Sequence, residues 1–314
     1  MDCIATEKLA GEWIALLKAN PIPRLLKEHD IGLTNRIQRD LLDNPSESIA
    51  EPVVEDTTYK TLVRRQKPDG SWRESGRKKS EESWTFITTL RSLYKLIDLG
   101  GGQGVEVFDR GVKYILGTQT CDGDFRGAYG PDIPSPNYTG MVAEVLFRGG
   151  TEYYEPAMAA IKWLVDIRRN DGGWAIPILR SRAKKDPSSH VVTGMALRGF
   201  INEPEKRYWK EAEKAGELLS RCIFKADKYP DRRGVEYWGK LSYPFWFTDV
   251  LSTLDVLSGL GFDLSTGRMQ RAFDWLLGQQ DSDGYWHSDF RKNRKEPDPW
   301  LTFAALRTIK SLVG

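Results

Sequence analysis

Gln66-Lys67-Pro68-Asp69-Gly70-Ser71-Trp72 is the stretch on which the reading of this chain turns, because the chain repeats it. Gln119-Thr-Cys-Asp122-Gly123-Asp-Phe125 and Gln280-Asp-Ser-Asp283-Gly284-Tyr-Trp286 are further copies, and Arg168-Arg-Asn-Asp171-Gly172-Gly-Trp174 keeps all but the glutamine. Successive Asp-Gly pairs stand 53, 49 and 112 residues apart, so the last gap spans two periods and places a degenerate copy near Asp227. Self-similarity at a period near 50 is the signature of a repeat architecture.

Each phrase sits between two helical patterns. Before the last copy, Met269, Ala272, Phe273, Leu276 and Leu277 recur at helical spacing. Asp-Gly is a turn, since glycine accepts positive φ and aspartate bonds the neighbouring backbone. After it come stretches such as 83–99 and 300–313, apolar on most faces and so suited to burial on both sides. A period is therefore an outer helix, a turn and an inner helix. No segment alternates apolar and polar residues long enough to argue a sheet. Inner helices this apolar favour a closed ring over an open superhelix, which would leave one face wet. The predicted fold is an all-α (α/α) toroid in a single domain, 1–314. Residues 1–50 form an N-terminal helical segment supplying the sixth helix pair, and 51–314 hold five repeats, the fourth degenerate.

Composition narrows the classes. The formal net charge is only +2, so nucleic acid is not expected as a partner. No apolar run reaches membrane-spanning length, and the N-terminus lacks the basic and apolar regions of a signal peptide. Cys3, Cys121 and Cys222 are odd in number and lack metal-site spacing, which fits a reducing cytoplasm.

The Gln-x-x-Asp-Gly-x-Trp phrases resemble the QW motif of the squalene–hopene cyclase and protein prenyltransferase β-subunit superfamily. The likeness runs from about Asp56 onward, and the stretch from Trp13 to Asp43 also resembles the opening of bacterial squalene-cyclase-like proteins. The resemblance implies a cavity for an isoprenoid or another small hydrophobic molecule with an anionic head, and allows peripheral membrane contact. It implies no resident cofactor, with Mg2+ entering only if the substrate is a diphosphate. The chain departs from the superfamily at both known reactive sites. No Asp-x-Asp-Asp-Thr acid motif is present, Val53-Val54-Glu55-Asp56-Thr57 being the nearest string. No Asp, Cys and His set for zinc is present either, and Ser252 stands where the zinc histidine would align.

Candidate site residues follow from the toroid. Loops leading into the inner helices are basic (Arg77 to Lys79, Arg180 to Lys185, Arg232-Arg233, Arg291 to Lys295) and closure would gather them on one rim. Arg291 and Arg294 are the expected anion contacts. The starts of the inner helices supply Glu82, Trp84, Tyr138, Trp246 and Trp300 as substrate-binding residues, since aromatic faces stabilise cations. His190, Asp249 and Asp298 are the catalytic candidates. Asp298 before Pro299-Trp300 reads equally as a helix cap, and His190 reads equally as a cap. Asp249 lies in the apolar run Phe245 to Leu251, where a carboxylate needs a partner or a purpose. Asp255, roughly 240° further round the helix, points elsewhere. Three functions compete: an isoprenoid cyclase with a non-standard acid, an α/α-barrel glycoside hydrolase using Asp249 and Asp298, and a non-catalytic lipid- or protein-binding toroid. A dry aromatic pocket favours the first, a groove with paired carboxylates the second, and a core plugged by side chains the third. Oligomeric state is left open.

Overall fold

The computed structural model describes residues 11–28, 30–44, 54–73, 81–176, 186–227, 234–290 and 296–314, with the backbone alone at 81 and 82. Their regular structure is helical, apart from one isolated bridge between Gln119 and Phe125. The helices are α1 Ile22–Leu25, α2 Ile31–Asp40, α3 Thr57–Arg65, α4 Glu81–Asp98, α5 Glu106–Leu116 and α6 Pro136–Gly149. They continue with α7 Tyr154–Ile167, α8 His190–Ile201, α9 Trp209–Cys222, α10 Val250–Gly259, α11 Gly267–Gly278 and α12 Pro299–Val313.

Four chemical ties recur at the regular turns, all four of them at Trp72 and Trp286, and each is written in the repeat. The tryptophan indole donates to the outer-helix carbonyl ten residues upstream: Trp72 to Leu62 at 2.8 Å, Trp174 to Leu164 at 2.7 Å and Trp286 to Leu276 at 2.8 Å. Phe125 holds the same place without that bond, and all four rings are buried. The glutamine amide donates to its own turn and to the start of the next outer segment. Gln66 reaches Gly70 and Val107, Gln119 reaches Gly123 and Pro156, and Gln280 reaches Gly284 and Ala19. Arg168 replaces glutamine in the third copy and still reaches the next outer helix, donating to the Glu211 carbonyl at 2.9 Å. The fourth tie is to the inner helix. The backbone N–H of Trp72, Phe125, Trp174 and Trp286 donates to Thr89, Thr139, Thr193 and Thr302 respectively, at 3.0 to 3.1 Å. Three of these threonines lie four residues after an inner-helix cap, at Ser135, Ser189 and Asp298.

Aspartate is the variable member. Asp69 accepts from the Ser71 amide and Asp171 from the Gly173 amide. The same arrangement is expected at Asp122 and Asp283 and is not found there. Asp283 pairs with Arg24 instead, because Asp281 already accepts the Asp283 and Tyr285 amides. Asp122 is exposed, and no turn bond to its side chain is present among the described residues.

Inner helices close a ring. α2 packs on α4, α4 on α6, α6 on α8, α8 on α10, α10 on α12, and α12 returns to α2. The tightest joint is α6 against α8, where a β-carbon at Gly140 would lie 2.3 Å from the Ala196 carbonyl oxygen. Only glycine permits that backbone approach. At the seam, Lys18 N–H donates to Gln280 Oε1 at 2.7 Å, and Lys310 Nζ reaches the Leu41 carbonyl at 3.2 Å.

Candidate functional site

The inside of the ring carries charge, one or more groups from every inner helix. Arg36 of α2 meets Asp98 of α4 at 3.3 Å, and Asp98 meets Arg148 of α6 at 3.1 Å. Arg148 holds Glu144 at 3.1 Å, and Glu144 accepts Arg198 of α8 at 2.5 Å. Arg198 reaches Asp255 of α10 at 3.2 Å, and Arg307 of α12 completes the chain on Asp255 at 2.7 Å. Tyr94 and Tyr243 donate to Glu144 and Asp98. Burial alone would raise every carboxyl here. Arg198 and Arg148 nevertheless pull Glu144 below its ordinary range, and Arg307 and Arg198 do the same for Asp255. At Asp98 burial prevails over Arg148 and Tyr243, and its pKa is raised.

Above this girdle lies a cavity of about 380 Å3, set where α4 faces α12. Lys95 and Asp98 of α4, with Leu99 just past its end, form one wall, and the cap Asp298 and Trp300 at the start of α12 form the other. Ser242, Tyr243 and Trp246, ahead of α10, close it with Ser288 and Phe290. Tyr243 and Trp300 are parallel, with centroids 6.1 Å apart, and the Trp300 indole is fixed by Asp30 at 2.8 Å. Trp246 stands edge-on to Tyr94, with Arg91 over its ring at 4.8 Å. Lys95 reaches solvent at the mouth and makes no hydrogen bond or ion pair among the described residues. Crowding by protein, then Arg91 and Arg65, holds its ammonium pKa down.

Among the sequence candidates, Asp298, Trp246 and Trp300 converge here. Asp298 also caps α12, accepting from Leu301 N at 3.1 Å. Asp249 does not line this cavity. It is wholly buried behind Ser242, accepting the Ser252 amide at 2.7 Å and the Ser242 amide at 3.1 Å, in a capping box at the start of α10. The apolar run before it is a loop, and the helix begins only at Val250, so the carboxylate is a cap. Burial pushes its pKa up to about 7, although Ser252 and Ser242 donate to it. His190 is stacked on Trp238 at 4.7 Å, away from the cavity, and burial lowers its pKa. Tyr138 packs edge-on to Phe86 and Tyr129, and Trp84 is half-buried outside the lining. The Glu82 side chain, Arg291, Arg294 and the basic rim loops at 77–79, 180–185, 232–233 and 291–295 lie outside the described residues. No group of His, Cys, Asp and Glu that could hold a metal exists among those described.

Sequence reasoning missed Lys95, Asp98 and Tyr243, and with them the girdle. A signal was available: Arg36, Asp98, Arg148, Arg198, Asp255 and Arg307 recur at close to the repeat period inside stretches otherwise apolar. Asp255 does point elsewhere than Asp249, and that direction is the ring interior.

A closed all-α toroid with QW-type turns and a one-sided aromatic cavity is thus the class that fold and site define. A squalene–hopene cyclase of Bradyrhizobium diazoefficiens is similar, 23% identical over an alignment of 249 residues, which covers 68% of this chain and 36% of the relative. The chain spans about a third of the length of the curated relatives it matches. Among solved structures, a polysaccharide lyase aligns with a TM-score of 0.48 at 11% identity, covering 98% of this chain and 97% of that one. Candida albicans protein geranylgeranyltransferase-I, complexed with GGPP, aligns at 0.47 and 13% identity, covering 99% and 86%. No family model matches the chain. Among the described residues, no helix is long and apolar enough to cross a membrane.

Proposed function

We propose that this toroid binds an isoprenoid with an anionic head in the aromatic cavity, the chain lying against Tyr243, Trp246 and Trp300 and the head meeting Lys95. The observation that carries this reading is the Lys95 ammonium, unpaired among the described residues, in a cavity that also presents the rings of Tyr243, Trp246, Phe290 and Trp300. A volume of about 380 Å3 falls within the range of small-molecule sites. Binding rather than protonation is the role that suits the carboxyls. Asp298 is committed to a helix cap, and Asp98 is held by two arginines and a tyrosine hydroxyl. Asp98 and Asp298 both line the cavity, but each is already engaged, which weighs against the acid and base pair that a glycosidase would need.

Titration calorimetry with geranylgeranyl diphosphate and with geranylgeraniol tests the reading. Trp300→Ala should weaken both ligands at least tenfold, and Lys95→Ala should weaken the diphosphate alone. If neither ligand binds the parent chain, or if Lys95→Ala weakens both equally, the reading fails. Incubation with the diphosphate should return it uncyclised.

A further inference from the structure

Where α2, α6, α8, α10 and α12 finish, the lining is dominated by guanidinium groups. One cavity of about 330 Å3 sets five arginines (36, 39, 148, 198 and 307) against three carboxylates, Asp40, Glu144 and Asp255. An adjoining cavity of about 290 Å3 shares Arg36, Arg39 and Arg148, is completed by Ile97, Gly100 and Gly101, and has no carboxylate in its lining. Helix C-termini carry partial negative charge, and arginines placed there offset it. That alone would leave each guanidinium N–H on a carbonyl or a carboxylate.

Arg36 breaks that account. The residue is 7% exposed, and its Nε–H is buried with no acceptor among the described residues. Its remaining nitrogens are weakly engaged, at 3.3 Å from Asp98 and 3.7 Å from Asp40. A buried donor left unmet is costly unless a ligand meets it. Arginine forks are shaped to receive two oxygens of one oxyanion.

We infer that Arg36, Arg39 and Arg148 form a binding site for a phosphate group, free or as a monoester, separate from the aromatic cavity. The phosphate oxygens meet the guanidinium groups of Arg36, Arg39 and Arg148 that line the smaller cavity, and a turn of the Arg36 side chain would bring its buried Nε–H to them. Arg39 is the residue to vary, because its side chain is 43% exposed and, among the described residues, bonds only its neighbour Asp40. Its loss should leave the fold intact, as an unchanged melting temperature in phosphate-free buffer would verify.

The experiment is titration calorimetry of the full chain with inorganic phosphate and with glycerol 3-phosphate, at constant ionic strength. The parent should bind at least one of them, and Arg39→Ser should raise its Kd at least tenfold. Arg110→Ser, on the outer surface, should bind as the parent does. Tighter binding of the ester identifies an esterified ligand, and equal binding identifies the free ion. No binding of either by the parent, or equal binding by parent and Arg39→Ser, overturns the inference.

Discussion

Four of the repeats and the fourth in sequence, residues 209–259, solve the same problem differently. In the regular copies the turn N–H is accepted by an inner-helix threonine, and three of the four rings cap their own outer helix ten residues back. In the degenerate copy Thr253 holds the equivalent place, four residues after the Asp249 cap, but its hydroxyl is buried without a partner among the described residues. Trp238 bonds the Lys225 carbonyl thirteen residues back, and Asp227 turns away to receive Ser189 Oγ and the Val191 amide of α8. Freed from the turn pattern, the segment before α10 swings Ser242, Tyr243 and Trp246 into the aromatic cavity. The rule holds where the ring must be built and breaks where the cavity is made.

The largest break in this contrast should come from removing a regular ring. Trp286→Ala empties a fully buried site and orphans the Leu276 carbonyl, and should cost about 4 kcal/mol in urea unfolding. A loss below about 1 kcal/mol would show that the turn does not organise the repeat.

A smaller effect concerns the Asp249 cap of the degenerate copy. Its folded pKa of about 7 lies above the ordinary 3.8, so the folded state binds the proton more tightly. The stabilisation is complete below pH 3.8 and is lost, at about 1.4 kcal/mol per pH unit, as pH rises through about 7. Asp249→Asn keeps a capping oxygen, and should flatten this part of the urea midpoint against pH. Parallel profiles for parent and variant would reject the titration.

The threonines give the smallest and sharpest comparison. Thr302→Val strands the buried Trp286 N–H and should cost about 1–2 kcal/mol. Thr253→Val removes a hydroxyl that has no partner among the described residues, and should be neutral or slightly stabilising. Equal losses at the two positions would mean that the shared register carries no shared role.

The ring was legible because its determinants are local and repeated: the Asp-Gly turn, the glutamine and the aromatic ring fall within seven residues of sequence. Even so, the aspartates at 122 and 283 were read as Asp69 is, since nothing in the phrase shows that Asp281 competes for the same amides. The site was legible only where it borders the repeat, at Trp300 and Asp298. Lys95 and Asp98 looked like ordinary helix polarity, because their meaning depends on Tyr243, 145 residues from Asp98 in the chain. Asp249 misled for a local reason. An apolar run next to a carboxylate looks like a buried helix face, and only the backbone shows that the helix starts one residue later.

One consequence of the seam concerns how the ring assembles. The inter-repeat ties of Gln66, Gln119 and Arg168 span 41, 37 and 43 residues, whereas that of Gln280 to Ala19 spans 261. Chain entropy makes that last closure dearer by about 1.5 kcal/mol, so neighbouring pairs can zip up before the circle shuts. The seam should therefore form last and open first, with amides of 31–40 exchanging faster than those of α6 and α8. The aromatic cavity lies along this seam, between Trp300 tied to Asp30 and Leu99 packed over Gly32. Its doorway is thus the joint of the ring that opens most cheaply.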